Sequence, residues 1–181
     1  MAITRLGGAN AITGTLPAAN INDTSIGNIT ALPAGVGGKV LQVVQTNKSD
    51  MASSTSQIYA DISGLSVNIT PSSSSNKILI SFFTQVSTNN HDAQIRLMRD
   101  STTIIGSGAS TKNGTVNART ANGDTIHTMG TMYLDSPSTT SQITYKLQWR
   151  LNVAQTVYLN RRMGDTAFST ISNITAMEIS A

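Results

Sequence analysis

The sequence predicts an all-β protein built from antiparallel sheets, a sandwich or a jelly roll, preceded by an extended N-terminal arm. Three observations lead there. Charged residues are only 12% of the 181 positions and Glu appears once, at Glu178, so the Glu/Lys/Leu/Ala richness of surface helices is missing. From Lys39 onward, apolar residues recur at every second position in short runs, the period of a half-buried strand. Clusters of Ser, Thr, Asn, Gly and Pro divide these runs, and no credible helix lies between them.

Residues 1–38 read differently. They hold two related phrases, "TLPAAN" and "ALPAG", followed by the flexible "GVGGK". Their apolar residues, Ile3, Leu6, Ile12, Leu16, Ile21, Ile26, Ile29 and Leu32, are spaced too irregularly to line a helix face. Such a segment cannot build its own core, so it is expected to be an attachment arm that docks on sister chains or a larger assembly.

Strands are expected at 40–45, 58–62, 65–70, 77–86, 93–98, 103–105, 125–134, 142–151, 156–160 and 170–179, within one domain over 39–181. The stretch "SQITYKLQWRL" is the cleanest of them. Ile143, Tyr145, Leu147, Trp149 and Leu151 alternate there with Gln142, Thr144, Lys146, Gln148 and Arg150. Aromatic residues are only 4% of the chain, so the sole Trp149 is assigned with Tyr145 to the sandwich interior rather than to a sugar-binding platform. Their expected partners are Ile78, Ile80, Phe82, Ile95 and Leu97. The segment 106–124 reads as a long loop, of the kind that binds or contacts a neighbour. Two strands carry apolar residues on both faces: Leu79 and Phe83 oppose Ile78, Ile80 and Phe82, while Ile174 and Ala176 oppose Met177 and Ile179. A sandwich needs one apolar face per sheet, so Leu79, Phe83, Ile174 and Ala176 are predicted subunit contacts.

The chemistry of catalysis is sparse. With no Cys, disulfides, thiol nucleophiles and thiolate zinc sites are excluded. The two histidines, His91 in "NNHDA" and His127 in "GDTIHTM", each lie near an aspartate, Asp92 and Asp124, yet no local signature marks a nucleophilic serine. A metal held by His127 and Asp124 stays open, although a lone strand His is more often structural. Asp residues fall mostly in turns, where they shape the backbone, and "GVGGK" lacks the strand, loop and helix order of a phosphate-binding loop. The net charge of +3 is spread over scattered basic residues, which is not a nucleic-acid footprint. No segment approaches the roughly 18 apolar residues of a membrane span, and the chain is expected to be soluble and unprocessed. No enzyme activity and no cofactor are predicted. Arg161 and Arg162, in "NRRMGD" beside "TVYLN", form the most pointed surface feature, able to clamp an anionic sugar, a phosphate or a partner's acidic groups.

The phrases "GKVLQVVQ", "ITPSSSSNKILI", "LDSPSTTSQITYKLQW" and "ISNITAMEIS" together resemble tail-fibre and related virion surface proteins of bacteriophages, especially marine and cyanobacterial ones. The likeness extends over most of the chain. In such proteins the C-terminal part looks like the trimeric jelly roll shared with complement and tumour-necrosis-factor domains. The resemblance implies a jelly-roll β-sandwich, a homotrimer, a place on the phage particle after synthesis in the bacterial cytoplasm, and no catalysis. Expected partners are further copies of the chain, other virion proteins of tail or capsid, and a host-surface glycan, with no nucleic acid and no membrane insertion. A fibre or knob that attaches by its arm and binds the host surface is the leading expectation. A capsid-decoration protein that clamps the shell is the alternative.

Overall fold

A computed structural model describes residues 39–105 and 114–181. The arm candidates Ile3, Leu6, Ile12, Leu16, Ile21, Ile26 and Leu32, and the first part of the long loop, lie outside the described residues. Strands account for all of the regular structure described: β1 (Val40–Lys48), β2 (Ala52–Ser54), β3 (Ala60–Ile69), β4 (Lys77–Ser87), β5 (Asp92–Arg99), β6 (Thr102–Ile105), β7 (Val116–Arg119), β8 (His127–Asp135), β9 (Ile143–Leu151), β10 (Val157–Leu159) and β11 (Ser172–Ile179).

They form two antiparallel sheets. The six-stranded sheet runs β1-β11-β4-β10-β2, with β8 on the other edge of β4; the five-stranded sheet runs β3-β9-β5-β6, with β7 also on β5. Successive long strands alternate between the sheets, β3 in the second, β4 in the first, β5 in the second, β8 in the first, β9 in the second and β11 in the first. That winding makes the sandwich a jelly roll.

The alternation in the sequence sets the core. In β9 every odd residue from Ile143 to Leu151 is buried and every even one is partly exposed. Trp149 and Tyr145 therefore fill the interior, in one apolar cluster with Ile78, Ile80, Phe82, Ile95 and Leu97. One polar cluster ties the two sheets together. The Tyr145 hydroxyl donates to Asp135 Oδ2 at 2.6 Å, and Arg99 Nη1 reaches both oxygens of the same carboxylate at 3.0 and 2.8 Å. Tyr145 and Arg99 belong to the five-stranded sheet and Asp135 to β8 of the other. Burial pushes the Tyr145 phenol upward, and the bond to Asp135 adds to it, so the group stays a neutral donor.

Three elements differ from the sequence reading. The runs expected at 58–62 and 65–70 are one strand, β3, whose register to β9 slips between Asp61 and Ser66. Gly64 lies in that slip at φ 80°, a backbone conformation glycine adopts without a Cβ penalty. A short strand, β7, lies within the segment read as a long loop, and β2 lies where no strand was expected. Both are mostly small or polar, so neither shows apolar alternation.

The two ends of the sandwich are distinct. At the near end lie the start of β1, the end of β11, the start of β4 and the end of β8, paired as Val40↔Ile179, Ile179↔Lys77 and Ile78↔Asp135. The chain enters the domain here, since Lys39 accepts a bond from the amide of Ser180 at 2.8 Å. At the far end lie the end of β4, the starts of β5, β8 and β11, and the loops joined to them, with Val86 opposite His127.

Candidate functional site

Two exposed regions stand out, the outer face of the six-stranded sheet and the loops of the far end. On the sheet face, strand register assembles a row across four strands. Val43 of β1 pairs with Met177 of β11, Met177 with Leu79 of β4, and Leu79 with Leu134 of β8. The adjacent row is Gln45, Thr175, Ser81 and Met132, and the next is Asn47, Asn173, Phe83 and Gly130. Val43, Leu134 and Met132 are 55%, 47% and 69% exposed, and Leu79, Phe83 and Met177 are half-buried. Val40 and Leu41 extend the apolar surface toward the near end. A continuous stripe of this kind on a sheet already packed on its other side marks an interaction surface.

Gly130 shapes that face. A Cβ at this position would come within 2.3 Å of the Phe82 carbonyl oxygen, so only glycine lets β8 approach β4 as closely as it does. The consequence is that Phe83 stands opposite a residue that has no side chain.

The far-end loops are interlocked. Thr88 and Thr120, both fully buried, exchange bonds between amides and hydroxyls, Thr88 N to Thr120 Oγ1 at 2.9 Å and Thr120 N to Thr88 Oγ1 at 3.0 Å. Met163 N donates to the Gly123 carbonyl at 2.9 Å, which joins the loop after β10 to the loop before β8. Asn160 anchors the base of the former. At φ 60° and fully buried, it donates through Nδ2 to the carbonyls of Lys48 (2.8 Å) and Asp50 (3.1 Å) and accepts from Ser172 Oγ at 2.6 Å.

The arginines expected to act together have different surroundings. Arg161 lies 4.8 Å from the centroid of the Tyr158 ring, and its guanidine turns back on the loop, Nε to the Arg162 carbonyl and Nη2 to the Met163 carbonyl, each at 2.9 Å. It shapes the loop. Arg162 rests 4.0 Å from the centroid of Phe168, and its guanidinium makes no hydrogen bond among the described residues. The same loop segment exposes Phe168, Met163 and Ile171.

No known protein family matches this chain, and no curated protein is significantly similar to it. His91 is buried, with Nδ1 2.7 Å from the Asn89 carbonyl and Nε2 3.2 Å from the Thr156 carbonyl, so both ring nitrogens are engaged in holding loops. His127 is exposed at the start of β8, and the Asp124 N–H donates to Asn122 Oδ1 at 3.1 Å in the turn before it. Among the described residues, no three His, Asp or Glu side chains are grouped to hold a metal ion.

Two predicted contact residues are corrected. Ile174 and Ala176 are fully buried in the core of their own sandwich, and it is Met177 and Ile179 that occupy the outer face of β11. Leu79 and Phe83 do face outward. Val43, Met132, Leu134 and Phe168 complete the exposed surfaces; each sits at an alternating or loop position whose exposure depends on which strands pair.

Proposed function

We propose that the chain is a non-enzymatic structural protein of a bacteriophage virion, a homotrimer of the fibre or knob type. Residues 1–38 attach it to the particle, and the jelly roll presents its far-end loops to the host surface. The observation that carries this reading is the apolar row Val43, Met177, Leu79 and Leu134, with Met132 and Phe83 beside it. A sandwich whose core is already complete gains nothing from a second greasy face unless copies of itself cover it. The polarity of the domain supports the attachment role. Lys39 lies at the near end of the domain, while Arg162 and Phe168 belong to the far-end loops.

A capsid-decoration protein is the second reading, favoured by the absence of any heptad or shaft repeat in the sequence of residues 1–38. The two differ in copy number per particle. A decoration trimer repeats over the whole shell, and a fibre occupies a few positions.

Sedimentation equilibrium of the full chain tests the shared core of both readings. The expected mass is three times that of the chain. A monodisperse monomer at dilute concentration overturns the trimer, and imaging of the intact particle then has nothing to decide.

A further inference from the structure

His91 is buried at the far end, 5% exposed, in the turn between β4 and β5. Its ring lies between two carbonyl oxygens. Nδ1 is 2.7 Å from the Asn89 carbonyl of the same turn, and Nε2 is 3.2 Å from the Thr156 carbonyl, in the segment that leads from β9 into β10. A carbonyl oxygen only accepts, so both contacts are hydrogen bonds only when both ring nitrogens carry a proton. Neutral imidazole has one N–H. The shorter contact keeps that proton on Nδ1, and the Nε2 lone pair then faces the Thr156 oxygen with no hydrogen between them, away from the water that would relieve it. The other end of the 152–156 loop is tied differently. Asp92 N donates to Asn152 Oδ1 at 3.1 Å, and Asn152 Nδ2 donates to Asp92 Oδ2 at 3.1 Å. Among the described residues no carboxylate bonds the His91 ring, and the charged or titratable groups of the surrounding elements are engaged or exposed. Asp92 also accepts from Asn117, Arg119 of β7 donates to Asn90 Oδ1, Arg150 of β9 donates to the Leu151 carbonyl, and Arg161 covers the Tyr158 ring of β10. Asp124 and His127, before and at the start of β8, are exposed.

We propose that His91 is a proton-operated latch on the far-end loops. As imidazolium it donates from Nδ1 to Asn89 and from Nε2 to Thr156, and so ties the β4–β5 turn to the loop before β10. When the Nε2–H bond breaks, the proton leaves to water and the electron pair stays on nitrogen. The tie to Thr156 is then lost, and the loop is held to this turn by the Asn152–Asp92 pair. A histidine ring gains and loses its second N–H between about pH 5 and 8, so the latch works near neutrality. Its stabilisation is present on the acid side and is lost as pH rises. The strand behind the loop is short: β10 has three residues, paired at three positions to β2 and at two to β4. A loop backed by so little sheet depends on the contacts at its ends, and it opens locally when one of them goes. The latch lies within one chain and is independent of what the far-end loops bind.

The test is nitrogen-15 NMR of the full chain labelled at histidine, at about pH 5.5 and about pH 8, with hydrogen exchange of the 152–156 segment at both values, corrected for the intrinsic pH dependence of exchange. The His91 ring should carry two N–H groups at the lower pH and only Nδ1–H at the higher one. Protection of the segment should fall by about threefold to tenfold between them, the loss of one hydrogen bond. His91→Gln, which does not titrate, should hold protection at one level across both. His127→Gln, at the exposed histidine of β8, should keep the wild-type fall. If His91→Gln does not fold by near-ultraviolet circular dichroism, the ring signals, the wild-type exchange and His127→Gln decide. A ring with one N–H throughout, a neutral ring protonated at Nε2, wild-type protection that ignores pH, a fall that persists in folded His91→Gln, or one abolished by His127→Gln overturns the proposal.

Discussion

Two buried polar residues carry testable weight at the scale of single side chains. Glu178 is fully buried with no cation on it, yet it is held by Asn76 Nδ2 (2.6 Å), Gln42 Nε2 (2.6 Å), and the amide and hydroxyl of Ser72 (2.7 Å each). Burial alone would raise its pKa, but the bonds from Asn76, Gln42 and Ser72 outweigh it and set the value at about 2 against an ordinary 4.5. Above pH 4.5 the carboxylate is ionised in both folded and unfolded chains and its stabilisation is fully present. As pH falls from 4.5 toward about 2, the unfolded chain takes up the proton first, so the stabilisation is lost across that window. Thermal melts of the wild type should therefore drop steeply there, and Glu178→Gln should show a shallower drop and be less stable near neutral pH by about 2 kcal/mol. Parallel curves for the two proteins would show that the network contributes no pH dependence. Asn160 gives the second case. Asn160→Ala loses bonds to two carbonyls and to Ser172 and keeps a positive φ that alanine resists, so it should cost about 2–4 kcal/mol in urea unfolding. Asn160→Gly, which relieves only the backbone, should recover a minority of that loss.

At the scale of strands, the alternation in β9 was readable because its core side is entirely large and apolar and the residues between are polar, while in β4 the buried Ile78, Ile80 and Phe82 still alternate although Leu79 and Phe83 make the outer side apolar too. In β11 the same reading failed on orientation. Its inner face is Ser172, Ile174, Ala176 and Glu178, polar at both ends, while its outer face carries the bulkier Met177 and Ile179. Apolar content alone pointed the strand the wrong way, and only the partners Val43 and Leu79 fix it. The Glu178 network could not be foreseen, since it gathers groups from β1, the loop before β4 and β11 that are far apart in sequence. The stacking of Arg96 and Arg150 near the Tyr59 ring, 3.9 and 5.7 Å from its centroid, was hidden for the same reason: the two arginines come from β5 and β9, which become neighbours only in the sheet. The outer face of the six-stranded sheet gives the prediction that belongs here. Leu134→Lys, at a position 47% exposed, should leave the isolated domain folded with little change in stability, within about 0.5 kcal/mol. In a trimer sealed by that face it buries three unpaired ammonium groups, so sedimentation should show dissociation. A folded variant that keeps the wild-type mass removes this face from the subunit contact.

At the scale of the whole chain, the question is whether subunits are held by the sheet face or by residues 1–38, and the polarity of the jelly roll separates the two. The domain over Lys39–Ala181 has a continuous core that draws on both sheets, and among the described residues its fully buried apolar members run from Ile62 to Ala176. Its first strand is paired along its length to β11, so the fold does not need the arm to close the sheet. Deleting residues 2–35 should then leave the melting temperature and the trimer mass unchanged while abolishing incorporation into particles, measured by immunoblotting of purified virions. A truncated protein that is folded but monomeric would transfer the assembly role from the sheet face to the arm. A truncated protein that still incorporates normally would place the docking surface on the jelly roll itself, and the near end, where Val40, Leu41 and Ile179 meet, becomes the next surface to alter.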